Sequence, residues 1–386
     1  MPGKPESLQN ITMAGGGVYS LATRGAEDVI NKSIPLVIDA LNSMSIPEDQ
    51  SDFTFTDMGT ADGGTSLKLV EKLIHSIRKK KPQIDINIVY VDQPKNDFNS
   101  LVQTVLGLGH FPSYLENVEN VYPFFSANSF YKQILPDNSL DFGFSATAMH
   151  WLSKKPCDIS HHVHMVGAEG DEYIAFSEQG KKDWETILLH RARELKTGGQ
   201  LVFLNFCRDE NGKYLGNTKG VNMFGNFAQN WKDFFEQGRI NLNEYQRMTL
   251  PQYYNTVEEF SAPLQDPNNP VYRAGLRLKQ IETHITPCPF AESFREHKDA
   301  RRFAEEYIPT IRSWNESIFF GALDTDRTVE ERNQIIKDYY QTYQDQVQSS
   351  PDMHRMDYVH AFIAVSYTHL RAHETDSYLV CRLLLE

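Results

Sequence analysis

An α/β fold, with a parallel doubly wound sheet and a helical cap, is what this 386-residue chain predicts. Three observations carry the prediction. Apolar runs of strand length alternate with amphipathic helix patterns, the rhythm of strand–helix–strand crossovers. Two of the runs, 85–91 (DINIVYV) and 200–206 (QLVFLNF), are almost continuously β-branched, aromatic or leucine, as in strands buried on both faces. A glycine-rich turn within 53–64 (FTFTDMGTADGG) joins a strand to a helix, the corner at which such sheets hold phosphates or nucleosides.

Taken in order, the first dozen residues, with Pro2, Gly3 and Pro5, are expected to be loosely held. In 13–22 (MAGGGVYSLA) three glycines precede Tyr19; they suit either backbone approach to a ligand or a flexible lead-in. Residues 26–41 read as a helix with Val29, Ile30, Val37, Ile38 and Leu41 inward. The organising strand ends in Asp57, and the helix behind its turn carries Leu67, Val70, Leu73, Ile74 and Ile77, with Thr65 or Ser66 as its cap. The second strand ends in Asp92, placed to grip a ribose diol. Residues 121–128 and 140–147 read as the third and fourth strands, the latter ending beside His150 and Trp151, two donors suited to an anionic oxygen. A helix over 182–195, closed by Gly198 and Gly199, leads to the fifth strand at 200–206. An aromatic and polar stretch then reads as a helical insertion over the carboxyl edge of the sheet. Within and beyond it, Trp231, Phe234, Phe235, Tyr253 and Trp314 are candidates for pocket lining or for core. A sixth strand at 276–285, helices at 300–320 and 329–347, and a last strand at 357–365 complete the pattern.

The net charge is -13 and the longest basic run is Arg78–Lys81, a solvated helix end, so nucleic acid is not an expected partner. No segment approaches the ~20 apolar residues of a membrane span, and no signal peptide is read at the N-terminus. Cys157, Cys207, Cys288 and Cys381 lack paired spacing, which points to reduced thiols in the cytoplasm. His161, His162 and His164 lack good ligand spacing, so no metal is expected. The last stretch, 366–386, fits no element; it resembles translated sequencing-adaptor read-through and is set aside as non-native, together with Cys381.

In order, these motifs resemble the SABATH family of S-adenosylmethionine (SAM)-dependent carboxyl methyltransferases, in its non-plant branch. DMGTADGG (57–64) resembles the family's D-L-G-C-S-x-G, and VDQPKNDFN (91–99) nearly reproduces N-D-L-P-x-N-D-F-N. Ser129-Phe130, the block 135–156 (LPDNSLDFGFSATAMHWLSKKP) and RARELKTGGQLV (191–202) match further family runs. The resemblance implies a class I Rossmann-like methyltransferase with a seven-stranded sheet and helical cap, SAM as cofactor, a small-molecule acid as substrate, and a homodimer. It divides the chain into a first core part at 13–212, a cap insertion at 213–270, the remaining core and cap helices at 271–365, and the excluded tail. Carried over, cofactor contacts are expected from Tyr19, Asp57, Gly59, Thr60, Asp92, Gln93, Ser129, Phe130 and Ser145; substrate contacts are expected from Thr147, His150, Trp151 and Asp28. The departures are specific. Thr60 and Thr65 stand where the family has cysteine and asparagine, Thr147 replaces a substrate-lining tyrosine, and Asp28 stands where a glutamine would face the acid. The family's metal-associated D-x-F-N lines up with Arg247-Met248-Thr249-Leu250, so no metal is expected there. No catalytic base is required, because a carboxylate (pKa about 4) is already ionised at neutral pH. Methylation of a heterocycle or phenol, and a silent SAM-binding homologue, are the competing readings.

Overall fold

The computed structural model describes residues 13–368. Pro2, Gly3, Pro5 and Cys381, with all of the stretch beyond 368, lie outside the described residues. The sheet is built from β1 (Asp52–Met58), β2 (Asp85–Asp92), β3 (Val121–Ala127), β4 (Leu140–Ala146), β5 (Leu195–Arg208), the two-residue β6 (Asn255–Thr256), β7 (Leu276–Thr286) and β8 (Tyr358–Tyr367). Seven of these follow the order β3-β2-β1-β4-β5-β8-β7, with β6 set against β5. Strands β1 to β5 pair in parallel, while β8 runs antiparallel to both β5 and β7. This is the predicted seven-stranded α/β sheet, and its central strands are buried on both faces as their composition demands.

Among the described residues twelve α-helices surround it: α1 (Val18–Ala22), α2 (Arg24–Ser43), α3 (Leu67–Lys80), α4 (Phe98–Val105), α5 (Gly170–Glu194), α6 (Met223–Glu236), α7 (Leu242–Arg247), α8 (Val257–Gln265), α9 (Pro270–Arg273), α10 (Pro289–His297), α11 (Ala300–Ala322) and α12 (Val329–Ser349). In α3 the buried residues Leu69, Val70, Leu73, Ile74 and Ile77 form one stripe, and Arg78, Lys79 and Lys80 occupy the last turn, where cations oppose the helix dipole. The cap is an aromatic cluster. Trp231 of α6 meets Phe319 of α11 and Tyr339 of α12 edge-on, at 5.2 and 5.6 Å.

Three expectations about elements are revised. Helix α5 begins a dozen residues earlier than its apolar spacing suggested, because Gly170–Lys181 is mostly polar and buries little beyond Phe176, Gln179 and Gly180. Gly198 and Gly199 do not end that helix: β5 starts at Leu195, and the glycines sit in a bulge where its pairing with β4 jumps from Leu195 to Gln200. The last strand continues through Ser366 and Tyr367, two residues into the stretch set aside as non-native.

Candidate functional site

The strand order reverses between β1 and β4, and the turns leaving their carboxyl ends part to form a crevice. Two adjoining cavities of about 610 and 390 Å³ lie there. Met13, Tyr19, Thr147 and Trp151 line both and form the partition between them.

The larger cavity is lined by Gly59, Ala61, Asp92, Gln93, Asn96, Phe130 and Ala148 besides the partition. Asp92 is held at the tip of β2, one oxygen accepting from the Ala61 N–H and the other from the Gln93 N–H, each at 2.7 Å. Burial pushes its carboxyl up to about 6, opposed by those two amides, so it is ionised at neutral pH. Gly59 has φ +81°, and a Cβ there would lie 2.2 Å from the Ala148 Cβ; only glycine lets the two turns close on each other. Asp57 is turned inward. Its Oδ2 accepts from the hydroxyls of Ser66 (2.6 Å) and Thr60 (3.2 Å), while burial raises it to about 6. It shapes the turn and lines neither cavity. Ser66 therefore spends its hydroxyl on Asp57 instead of capping α3.

Phe130 is fixed from behind. The fully buried Arg191 donates to the Phe130 and Lys132 carbonyls (2.9 and 2.8 Å) and pairs with buried Glu194, which in turn accepts from the Ile134 N–H. Ser129 and Ser145 line neither cavity: Ser129 Oγ accepts from the Tyr131 N–H, and the buried Ser145 hydroxyl staples β4 to the end of β1 through the Met58 carbonyl (2.7 Å).

Tyr19 arrives from the N-terminal segment. Gly16 and Gly17 both have left-handed φ (72° and 71°), and the Gly16 N–H donates to Asp97 (2.8 Å), so this glycine amide serves the chain itself. Ser20 binds Asp62 through both its N–H (3.0 Å) and its hydroxyl. Asp62 and Asp97, the two acids that dock Tyr19, escaped sequence reading because their partners lie 42 and 81 residues away.

The smaller cavity takes Thr147, His150 and Trp151 from the turn after β4, and Phe206, Leu215, Gln252, Tyr254, Trp314, Met356 and Tyr358 from the cap and sheet. The turn is pinned to the cap: the His150 carbonyl accepts from the Tyr253 N–H (2.9 Å) and Trp151 pairs with Gln252. His150 is ringed by Phe206, Trp151 and Tyr254 at 4.8, 5.3 and 5.8 Å. Burial lowers it to about 3, so it is neutral at pH 7, and its Nδ1 has no partner. No ionised side chain is among the described residues lining this cavity. Of the five candidate aromatics only Trp314 lines it; Trp231 and Phe234 are cap core, Phe235 stacks on Tyr245, and Tyr253 donates to Glu259. Asp28 is exposed on α2 and lines neither cavity, so the repulsion expected of it is not built into the site. His164 stacks on Phe224 (3.9 Å), and among the described residues no group of three or more His, Cys, Asp or Glu is arranged for a metal.

A nucleoside sulfonium suits the larger cavity. Among the described residues its one ionised lining group is the Asp92 carboxylate, which can accept from a diol or face a cation, and none of those lining residues offers a cation for a phosphate. The neutral, aromatic smaller cavity suits an apolar acceptor whose charge is met only by uncharged donors.

A family model described as SAM dependent carboxyl methyltransferase matches residues 9–367. The chain is 26% identical over 253 residues to Methyltransferase FUS9 of Gibberella fujikuroi, covering 65% of this chain and 66% of that protein. It is 27% identical over 208 residues to Methyltransferase LUC1 of a Fusarium species, covering 53% and 54%. It is 25% identical over 291 residues to Loganic acid O-methyltransferase of Catharanthus roseus, covering 69% and 75%. The matched part thus spans just under two thirds and about half of the first two relatives. A solved loganic acid methyltransferase with SAH superposes with TM-score 0.72 at 19% identity, covering 92% of this chain and 99% of that one, a likeness of fold.

Proposed function

The chain belongs to the SAM-dependent carboxyl methyltransferase family, and from that premise we propose that it methylates the carboxylate of a small-molecule acid to a methyl ester. The observation that carries this reading is the pairing, across a shared partition, of a cavity whose only ionised lining group among the described residues is Asp92 with a cavity those residues leave uncharged.

When bound, SAM supplies a methyl group on a sulfonium. Asp92 would accept from the ribose hydroxyls, and its negative charge would favour the cation. Phe130, anchored by Arg191, would pack beside the adenine, with Gln93 and Asn96 lining the same wall. On the other side His150 and Trp151 hold one acceptor oxygen and aim the second. No side chain moves a proton, because the acceptor arrives ionised. Because the charges of a sulfonium and a carboxylate would cancel in such a transfer, the apolar partition of Met13, Tyr19 and Trp151 would help by keeping water out. Positioning supplies the rest of the barrier reduction, up to ~7–11 kcal/mol in ideal cases.

Labelled SAM incubated with a panel of small acids, heterocycles and phenols tests the reading. Base-labile label on an acid supports it; label stable to base places the chain among N- or ether-methylating enzymes, and no transfer to any acceptor leaves a silent SAM binder. We further propose a cytoplasmic homodimer, in keeping with the free Cys157, Cys207 and Cys288 among the described residues. Among those residues no helix is long and apolar enough to cross a membrane. Light scattering at micromolar protein reads the oligomeric state directly.

A further inference from the structure

Thr147 occupies the one place where the two cavities meet a strand end, and it does so in an unusual backbone state. Its φ is +56°, a left-handed conformation that β-branched residues rarely adopt and that persists only where neighbours enforce it. Two neighbours do: its N–H donates to the Leu204 carbonyl of β5 at 2.8 Å, and its hydroxyl lies 3.2 Å from Nε2 of His360 on β8. His360 is fully buried against the rings of Phe206 (4.2 Å) and Tyr358 (6.1 Å), which also stack on each other, and both of those rings line the smaller cavity. Its Nδ1 has no partner.

That orphaned nitrogen decides the tautomer. A proton on Nδ1 would leave a buried N–H with nothing to donate to, whereas a proton on Nε2 leaves only a bare lone pair among rings. Nε2–H therefore donates to the Thr147 oxygen. The threonine hydroxyl, with one lone pair occupied by His360 and no other hydrogen-bond partner among the described residues, keeps its own proton for the cavity junction that Thr147 lines.

We propose that the Thr147 hydroxyl, oriented by His360, donates a hydrogen bond to the acceptor's carboxylate and so serves as the donor on the cofactor side of the partition. The inference rests on the carboxyl-methylation reading. In that reaction one carboxylate oxygen forms the new O–CH₃ bond as the S–CH₃ bond breaks with its electron pair going to sulfur; no proton is transferred. Thr147 and His150 then hold the carboxylate oxygens from two sides without placing any charge in the cavity. His360 is a positioning residue, acting through Thr147.

The test uses the full chain, SAM, and an acid that the wild-type protein converts to a base-labile ester. Thr147→Val, which keeps the β-branch and loses the hydroxyl, is expected to raise the acceptor KM about 10- to 100-fold, the range for a hydrogen bond to a charged group. SAM affinity by calorimetry should stay within about threefold of wild type, since the lost bond is to the acceptor. Thr147→Ser, which restores the donor, should recover most of the KM, and His360→Phe should fall between the two. Nitrogen-15 NMR of the histidine-labelled wild-type chain gives a readout that needs neither turnover nor a stable variant, and it should find His360 in the Nε2–H form from pH 5 to 8. An unchanged KM in Thr147→Val, a Thr147→Ser no better than valine, or an Nδ1–H His360 would each overturn the proposal. If wild type makes only base-stable product, the carboxyl reading itself has failed, an outcome distinct from ester formation that ignores the Thr147 hydroxyl.

Discussion

The two walls of the crevice are built by different physics. The proposed cofactor wall consists of short turns at the tips of β1 and β2, where carboxylates grip backbone amides and hydroxyls: Asp57 holds Thr60 and Ser66 of its own turn, and Asp92 holds its neighbour Gln93 and, 31 residues back across the crevice rim, Ala61. The acceptor wall is assembled from β4, β5, β8, α11 and the cap, and is held by ring contacts and neutral histidines. The first wall presents an ionised carboxylate preset by the sheet; the second presents shape and uncharged rings.

The largest expected effect probes what supports the cofactor wall from behind. Arg191→Leu leaves Glu194 buried without its partner and frees the Phe130 carbonyl, and should cost about 3–5 kcal/mol in urea unfolding. A loss under about 1 kcal/mol would mean that Phe130 is held some other way. Next comes Asp92→Ala, which removes two amide acceptors and the ribose partner. A loss of about 2–4 kcal/mol in SAM binding is expected by calorimetry, roughly 30- to 1000-fold, because hydrogen bonds to a charged group are worth about 1.5–3 kcal/mol each. Trp151→Ala opens the partition. It should lower kcat/KM for the acid about 30- to 100-fold, from the loss of a buried aromatic worth about 2–3 kcal/mol; SAM affinity should change far less. Equal losses in both would erase the distinction between the walls.

The smallest effect is in pH, which one wall should feel and the other should not. Asp92 titrates at about 6, so SAM affinity should fall about tenfold per unit as pH drops below that value. SAH, which lacks the sulfonium charge, should respond more weakly. His150, lowered to about 3, stays neutral from pH 5 to 8, so the acceptor KM should be flat across that range for an acid that remains ionised. The raised carboxyls of Asp57 and Asp92 also set the stability profile. Folded pKa values above the unfolded ones mean that the folded chain binds more protons between about pH 4 and 6. Stability without cofactor should therefore decline as pH rises through that window, and thermal unfolding at stepped pH measures the trend.

The amino-acid sequence by itself determined the sheet, the strand ends and the two turns that carry Asp57, Gly59 and Asp92, because strand burial, turn glycines and helix stripes are written in residues that are neighbours in the chain. His150 and Trp151, expected just past a strand end, do line the smaller cavity. Which acid reaches the larger cavity was decided only in three dimensions: Asp57 and Asp92 both end strands, yet Ser66 and Thr60 turn the first inward, while Ala61 and Gln93 hold the second at the cavity. Likewise Tyr254, Met356, Tyr358 and the Thr147–His360 pair converge from segments up to 213 residues apart, a proximity set by antiparallel β8 returning between β5 and β7. Local patterns specify how a segment hides its apolar face; where two distant segments meet depends on the order in which the sheet stacks its strands, and no single stretch of sequence contains that order.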